Sequence, residues 1–236
     1  MIKIFLYECK RLLWNRFFFG IMLITLFYGW QVLSSITILG VSHTAPFSPW
    51  SFGDYLSRMV PILWIGALFF LTFFTSAKAR RVAVLTDAAP VIPRRYAMAQ
   101  CAAAMVGTGL PAIVCLGEAA LFYIRYFGWY EFGELLVPSL VTLVPPLVFA
   151  LGSGRFLGQI KARLIYVWMI IPFVCIILPL PDALGLWNGS FFTEYPLSLD
   201  ALDPPFSVPA PVALVQMALL TVGAFFLIYG IGKQKP

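Results

Sequence analysis

The sequence predicts an all-α integral membrane protein: six transmembrane helices, an N-terminal interfacial amphipathic helix, and both termini cytoplasmic. Three observations predict it. The 236 residues are 61% hydrophobic and only 11% charged, with a mean hydropathy of +0.91. A soluble domain carries about 25% charged residues, so this chain cannot cover a surface facing water. Six apolar runs are each of a length to cross about 30 Å of hydrocarbon, and the period-2 alternation of a membrane barrel is missing. The cations lie in alternate connections between those runs.

The elements follow in order. Residues 1–16 place Ile2, Phe5, Leu6, Cys9, Leu12 and Leu13 on one stripe at 100° per residue. Lys3, Tyr7, Lys10 and Arg11 fall off it, and Glu8 and Asn15 lie near its far edge. This is the pattern of a helix lying in the interface with its apolar face down; the alternative is an extension of the first span into water. No small-residue cleavage site follows, so a cleaved signal peptide is not expected. The spans are expected at 17–39, 56–76, 96–122, 135–151, 164–180 and 211–232, the fourth and fifth being the shortest. Interior Pro61, Pro111, Pro145, Pro146 and Pro172 are tolerable in a bilayer, where neighbouring helices satisfy freed carbonyls. The stretch "GSGRFLGQ", Gly152–Gln159, reads as a flexible exit from the fourth span. The connection 181–210 has five prolines, four acids and no Lys or Arg, together with Trp187, Phe191, Phe192 and Tyr195. It reads either as short helices dipping into the outer leaflet or as a plain surface loop.

The 16 Lys and Arg residues fall before the first span, in the connection 77–95, between the fourth and fifth spans, and in the tail. Arg58 and Arg125 are the exceptions. With six spans those segments share one face, which the positive-inside rule makes cytoplasmic. A multi-pass protein of a bacterial plasma or inner membrane is expected. The net charge of +6 is thus a matter of topology, and no nucleic-acid partner is expected.

Most site chemistry is absent. His43 is the one histidine, and beside Pro46 and Pro49 it reads as a surface residue. No Cys or His pair has zinc spacing, so no metal is expected. Serine catalysis inside the membrane would need a histidine on a facing span, and none occurs; no phosphate-binding loop occurs either. The four cysteines read as packing, with acylation of Cys9 the alternative. "NGS" at Asn188 matches a glycosylation acceptor, which reads as chance. Ionisable groups within spans are functional candidates, and Glu118 is the candidate intramembrane polar site. It lies roughly 33 Å along the third span from Tyr96 at 1.5 Å per residue, near the outer interface. It is either a snorkelling, solvated acid or a relay.

The connection 77–95 holds two basic groups, Lys78/Arg80/Arg81 and Arg94/Arg95, around "VAVLTDAAPVIP". Val82, Leu85 and Ala89 repeat at helical spacing, and Pro90 and Pro93 impose an extended exit. An apolar stripe in a cytoplasmic loop wants a partner, unless it lies on the lipid surface. The interfacial N-terminal helix, the long second span running into a basic segment, "LTDAAPVIPRRYAMAQ" and the long loop before the sixth span together resemble the permease subunit of ABC-2 type ATP-binding-cassette transporters. Asp87, Ala88, Ala89, Pro90 and Arg94 stand where such permeases often carry an acid, small apolar residues, a proline and a basic or polar residue. Many relatives carry a glutamate just after the second span, where this chain has "AKARR".

The resemblance implies a transport subunit, not itself an enzyme. It would move, and mostly export, a substrate with ATP and Mg bound by two separate ATPase subunits; this chain would bind no cofactor. Val82, Leu85, Asp87 and Pro90 would form the ATPase-docking coupling loop. Arg80, Arg81, Arg94 and Arg95 would anchor it, and residues 1–16 would be the interfacial elbow. A second permease copy or a homologous permease, and membrane lipids, would be the other partners. The competing classes are a non-catalytic membrane subunit of another complex, a self-contained carrier or channel, and an intramembrane enzyme.

Overall fold

The computed structural model describes residues 2–75, 93–178, 180–199 and 201–232. It is helical throughout, with no strand among the described residues. α1 (Ile2–Leu13) ends just before Asn15, whose side chain accepts the Phe17 N–H at 3.2 Å and so caps α2 (Arg16–Ser35). That cap separates the two helices, because Asn satisfies a donor that would otherwise be orphaned at the start of α2. α3 (Pro49–Thr75) opens on a proline, with the Ser48 hydroxyl accepting the Ser51 N–H at 3.2 Å. It starts well before the expected residue 56. The intervening Asp54 and Arg58 pair at 2.8 Å along the helix, so two charges that interrupt the hydropathy pattern neutralise each other at i,i+4 spacing. α4 (Pro93–Phe127) and α5 (Leu136–Ile160) follow.

Five helical segments are long and apolar enough to cross a membrane: Arg16–Leu39, Pro49–Thr75, Arg94–Phe127, Phe132–Ile160 and Ala210–Ile231. The chain is thus consistent with a multi-pass membrane protein. The expected span at 164–180 is instead two short helices, α6 (Arg163–Trp168) and α7 (Ile171–Ile177). Together they span about 22 Å at 1.5 Å per residue, less than a hydrocarbon core. Pro172 lies at the start of α7, where its missing N–H and fixed φ suit a helix beginning better than a continuation.

The stretch 152–159 is not a flexible exit. α5 runs through it to Ile160, and its glycines are contact points. A Cβ at Gly152 would strike the backbone of Gly223 in α9 (Ala210–Gly232), and one at Gly154 would strike Leu68 and lie 2.9 Å from Leu71. At Gly158 a Cβ would lie 2.8 Å from both Thr75 and Ile165. Helices in lipid gain nothing from excluding water from one another, so their association rests on close packing, which small residues permit.

α3 is the central helix, with 72% of its span buried against 22% for α9. It packs on α2, α4 and α5, α9 lies along α5, and α1 lies on α4. The contacts also fix direction. Gly154 meets Leu68 while Gly158 meets Thr75; Gly152 meets Gly223 while Gln159 donates to the Gly230 carbonyl at 2.7 Å. α3, α5 and α9 therefore run the same way. Phe70 lies at Gly107 and Phe52 at Tyr123, so α4 runs opposite to α3. α2 does likewise, with Phe18 at Phe70 and Gly29 at Tyr55.

Because α5 and α9 are parallel, residues 161–209 carry the chain back along the bundle. Ile165 sits at Gly158, and the Trp168 carbonyl accepts the Trp64 indole N–H at 3.1 Å. After the α7 excursion, Trp187 stacks edge-on against Trp64 with ring centroids 5.2 Å apart. Gly189 lies against Asp54 and Ser57, and Phe192 fills the space above Gly53. α8 (Ser190–Glu194) and two 3-10 turns, Asp182–Leu184 and Pro196–Leu199, complete the segment. Trp187, Phe191 and Phe192 are thus buried in the bundle, with Tyr195 and Phe206 half-buried against the last two.

Candidate functional site

Polar groups inside the bundle gather in three places. The first lies between α3 and the returning segment. Asp54 is 1% exposed; its Oδ2 accepts from Arg58, and its Oδ1 is buried without a hydrogen-bond donor. Gly189 has φ +83 and would place a Cβ 2.8 Å from that Oδ1 and 3.0 Å from the Ser57 hydroxyl. Only glycine adopts that backbone and leaves that space at no cost. Trp187 Nε1, Thr142 Oγ1 and both amide atoms of Gln216 are also buried without partners. Leu186, next to Trp187, packs with Val212, one turn from Gln216, and Val141, next to Thr142, packs on the same cluster. Buried polar atoms lacking partners are expensive in an apolar surrounding.

The second place is Glu118. It is half-buried on α4 and rests on Gly29 of α2, where any Cβ would strike its Oε2 and lie 3.0 Å from the Tyr55 hydroxyl. Oε2 is buried without a donor. The acid is therefore seated in the α2–α4 seam, and among the described residues no ion pair holds it. Arg125, two turns on, is exposed and forms no ion pair with it.

The third place is the end of the bundle carrying α1. Glu8 is fully buried, ion-paired with Arg11 at 3.3 Å, and accepts the Tyr96 hydroxyl at 2.8 Å. Leu12 packs under Gly107, and the Arg11 guanidinium lies over the Phe74 ring at 5.4 Å. α1 thus touches the last turn of α3 and the first turn of α4, the two stems of the connection between them. The periodicity of 1–16 places Glu8 near the far edge of the apolar stripe. The buried face is instead Glu8, Cys9 and Leu12, while Ile2 and Leu6 stay exposed. Burial, then the adjacent Glu8 carboxylate, pushes the Cys9 thiol up from its ordinary range.

Arg155 also departs from its expected role as a charge between spans. With α5 continuing past it, Arg155 is 4% exposed; it donates from Nη1 to the Cys101 sulfur at 2.9 Å and leaves Nε unpartnered. Gly230 makes room for it: a Cβ there would lie 3.1 Å from Arg155 Cδ and Nε.

Of the residues singled out from the sequence, Arg80, Arg81, Val82, Leu85, Asp87 and Pro90 lie outside the described residues. Arg94 and Arg95 are exposed at the start of α4, and Glu118 is in the seam described above. His43 is exposed with φ 63. Among the described residues no group of three or more His, Cys, Asp or Glu side chains could hold a metal ion. Glu8, Gln216, Thr142 and the role of Asp54 are not evident from the sequence pattern, although the i,i+4 spacing of Asp54 and Arg58 carries a readable signal. No protein-family model, curated protein or solved structure matches the chain.

Proposed function

We propose that the chain is the membrane-spanning permease subunit of an ABC-2 type transporter, moving a substrate outward with ATP hydrolysed by separate chains. The single observation that carries the reading is the parallel run of α3, α5 and α9 with a broken return between the last two. In this reading the broken return is a crossing, which makes six. The basic segments before α2, between α3 and α4, after α5 and after α9 then share one side. The positive-inside rule assigns that side to the cytoplasm, in the bacterial plasma membrane. The α3–α4 connection emerges there with its stems gripped by α1, which suits an element that passes force from an ATPase to the spans.

In this reading residues 77–95 dock on the ATPase through Val82, Leu85, Asp87 and Pro90. Arg80, Arg81, Arg94 and Arg95 hold the loop to headgroups or to acids of the partner. Two ATPase chains and a second permease copy or homologue complete the pathway.

The test is native purification from the source membrane. A nucleotide hydrolase should accompany the chain and crosslink to residues 78–95. Leu85→Asp should abolish transport while ATP hydrolysis continues. A native assembly without a hydrolase, or ATP-independent transport by the chain alone in liposomes, overturns the reading.

A further inference from the structure

Glu118 is a carboxylate in a membrane-crossing helix without an ion-pair partner among the described residues. Such groups are costly and tend to serve a ligand or pathway. Its surroundings say which ligand. The Tyr96 hydroxyl is fixed to α1, which the sequence pattern places in the interface, and Glu118 lies 22 positions further along α4, about 33 Å at 1.5 Å per residue. That is about one hydrocarbon thickness, so the carboxylate stands at the depth of the opposite headgroup boundary.

Aromatic rings adjoin it on the same seam. Trp30 directly follows Gly29, on which the carboxylate rests. Phe122 is one turn from Glu118 and Tyr126 two turns, on the same helical face. Trp30 packs against Phe122 at 5.8 Å and Tyr126 at 6.2 Å between ring centroids, and Phe122 against Tyr126 at 4.6 Å. Trp30 and Tyr126 both remain about half exposed, so their surfaces are open to a ligand entering from the lipid. Tyr123 places a further buried hydroxyl without a partner behind Phe122.

We infer that the α2–α4 seam is a binding site for the alkylammonium headgroup of a lipid-dissolved amphiphile. The Glu118 carboxylate supplies the counter-charge, the Trp30 and Tyr126 rings supply cation–π contact, and the chain enters the surrounding lipid. Gly29 is the element that makes it a seam, since any side chain there would displace the carboxylate. The site stands whether or not the chain works with an ATPase.

The test is equilibrium binding of radiolabelled dodecyltrimethylammonium to the full chain in phosphatidylglycerol nanodiscs, with protein-free discs subtracted. Glu118→Gln should weaken binding at least about tenfold, about 1.4 kcal/mol. Trp30→Leu should weaken it about three- to tenfold, the range of a partly desolvated cation–π contact. Gly117→Ala, beside the site in open space, should bind as wild type. The neutral 3,3-dimethylbutyl isostere should bind no better to wild type than to Glu118→Gln. If Glu118→Gln fails to fold, Trp30→Leu and the isostere decide. Adding phosphatidylethanolamine separates the sources: competition identifies membrane lipid as the ligand, and its absence identifies a different amphiphile. Equal binding of the ammonium probe and its neutral isostere to wild type, or undiminished binding by both variants, overturns the inference.

Discussion

Replacing Gly152 with alanine tests the helix packing most directly. The new Cβ would strike the Gly223 carbonyl oxygen and lie 2.8 Å from its carbon and 3.0 Å from its Cα. All three atoms are backbone, so no side-chain rotation relieves the contact. Restoring ordinary separation would move α5 and α9 apart by about 1 Å or more, which forfeits about half of the attraction along the seam. Overpacking of this kind costs about 1–3 kcal/mol; with rigid neighbours the upper half of that range applies. Alanine recovers about 1 kcal/mol of helix propensity, leaving a net loss of about 1–2 kcal/mol. Gly109→Ala is the internal control, because a Cβ there meets nothing within 4 Å and should gain up to about 1 kcal/mol. Reversible SDS unfolding of both variants in mixed micelles measures the difference. The Gln159–Gly230 hydrogen bond should loosen as well, which a crosslink between cysteines placed at 159 and 230 would report. Equal stability of Gly152→Ala and Gly109→Ala would refute the parallel close crossing, and with it the direction of α9.

Two further outcomes follow from partners present and absent. Trp50 donates its indole N–H to the Pro204 carbonyl at 2.8 Å, whereas the buried Trp187 N–H has no acceptor; Trp50→Phe should therefore cost about 1 kcal/mol more than Trp187→Phe, and equal losses in the same unfolding assay would contradict the assignment. The Cys9 thiol is raised by burial and then by Glu8, so less thiolate is present at neutral pH than for a free cysteine; maleimide labelling should be slow at pH 7, climb only above the ordinary thiol range, and climb at lower pH in Glu8→Gln.

Composition and periodicity carried much of this protein because lipid imposes a blunt rule: a crossing segment must satisfy its own backbone and present apolar side chains. The helical class, the locations of α2, α4 and α9, and a helix at the N-terminus followed from that rule. Element ends did not. α3 begins seven residues earlier than the apolar run because Asp54 and Arg58 cancel each other, and α5 ends nine later because its glycines fit neighbouring helices. Hydropathy scores a glycine or a charge by type alone, and both were decided by what lies opposite.

The sites divide along the same line. The sequence alone determined that Glu118 is an acid within an apolar run long enough to span a membrane. Tertiary structure alone decided that its carboxylate seats on Gly29 beside Trp30, that Glu8 turns inward to Tyr96, and that Arg155 is enclosed between α4, α5 and α9. It also decided that residues 163–195 return through the bundle as a broken segment. The physical reason is that burial of a polar group, or interruption of a helix, becomes affordable only through partners distant in sequence. Tyr96 is 88 residues from Glu8 and Trp168 is 104 residues from Trp64, and no local pattern encodes such pairings.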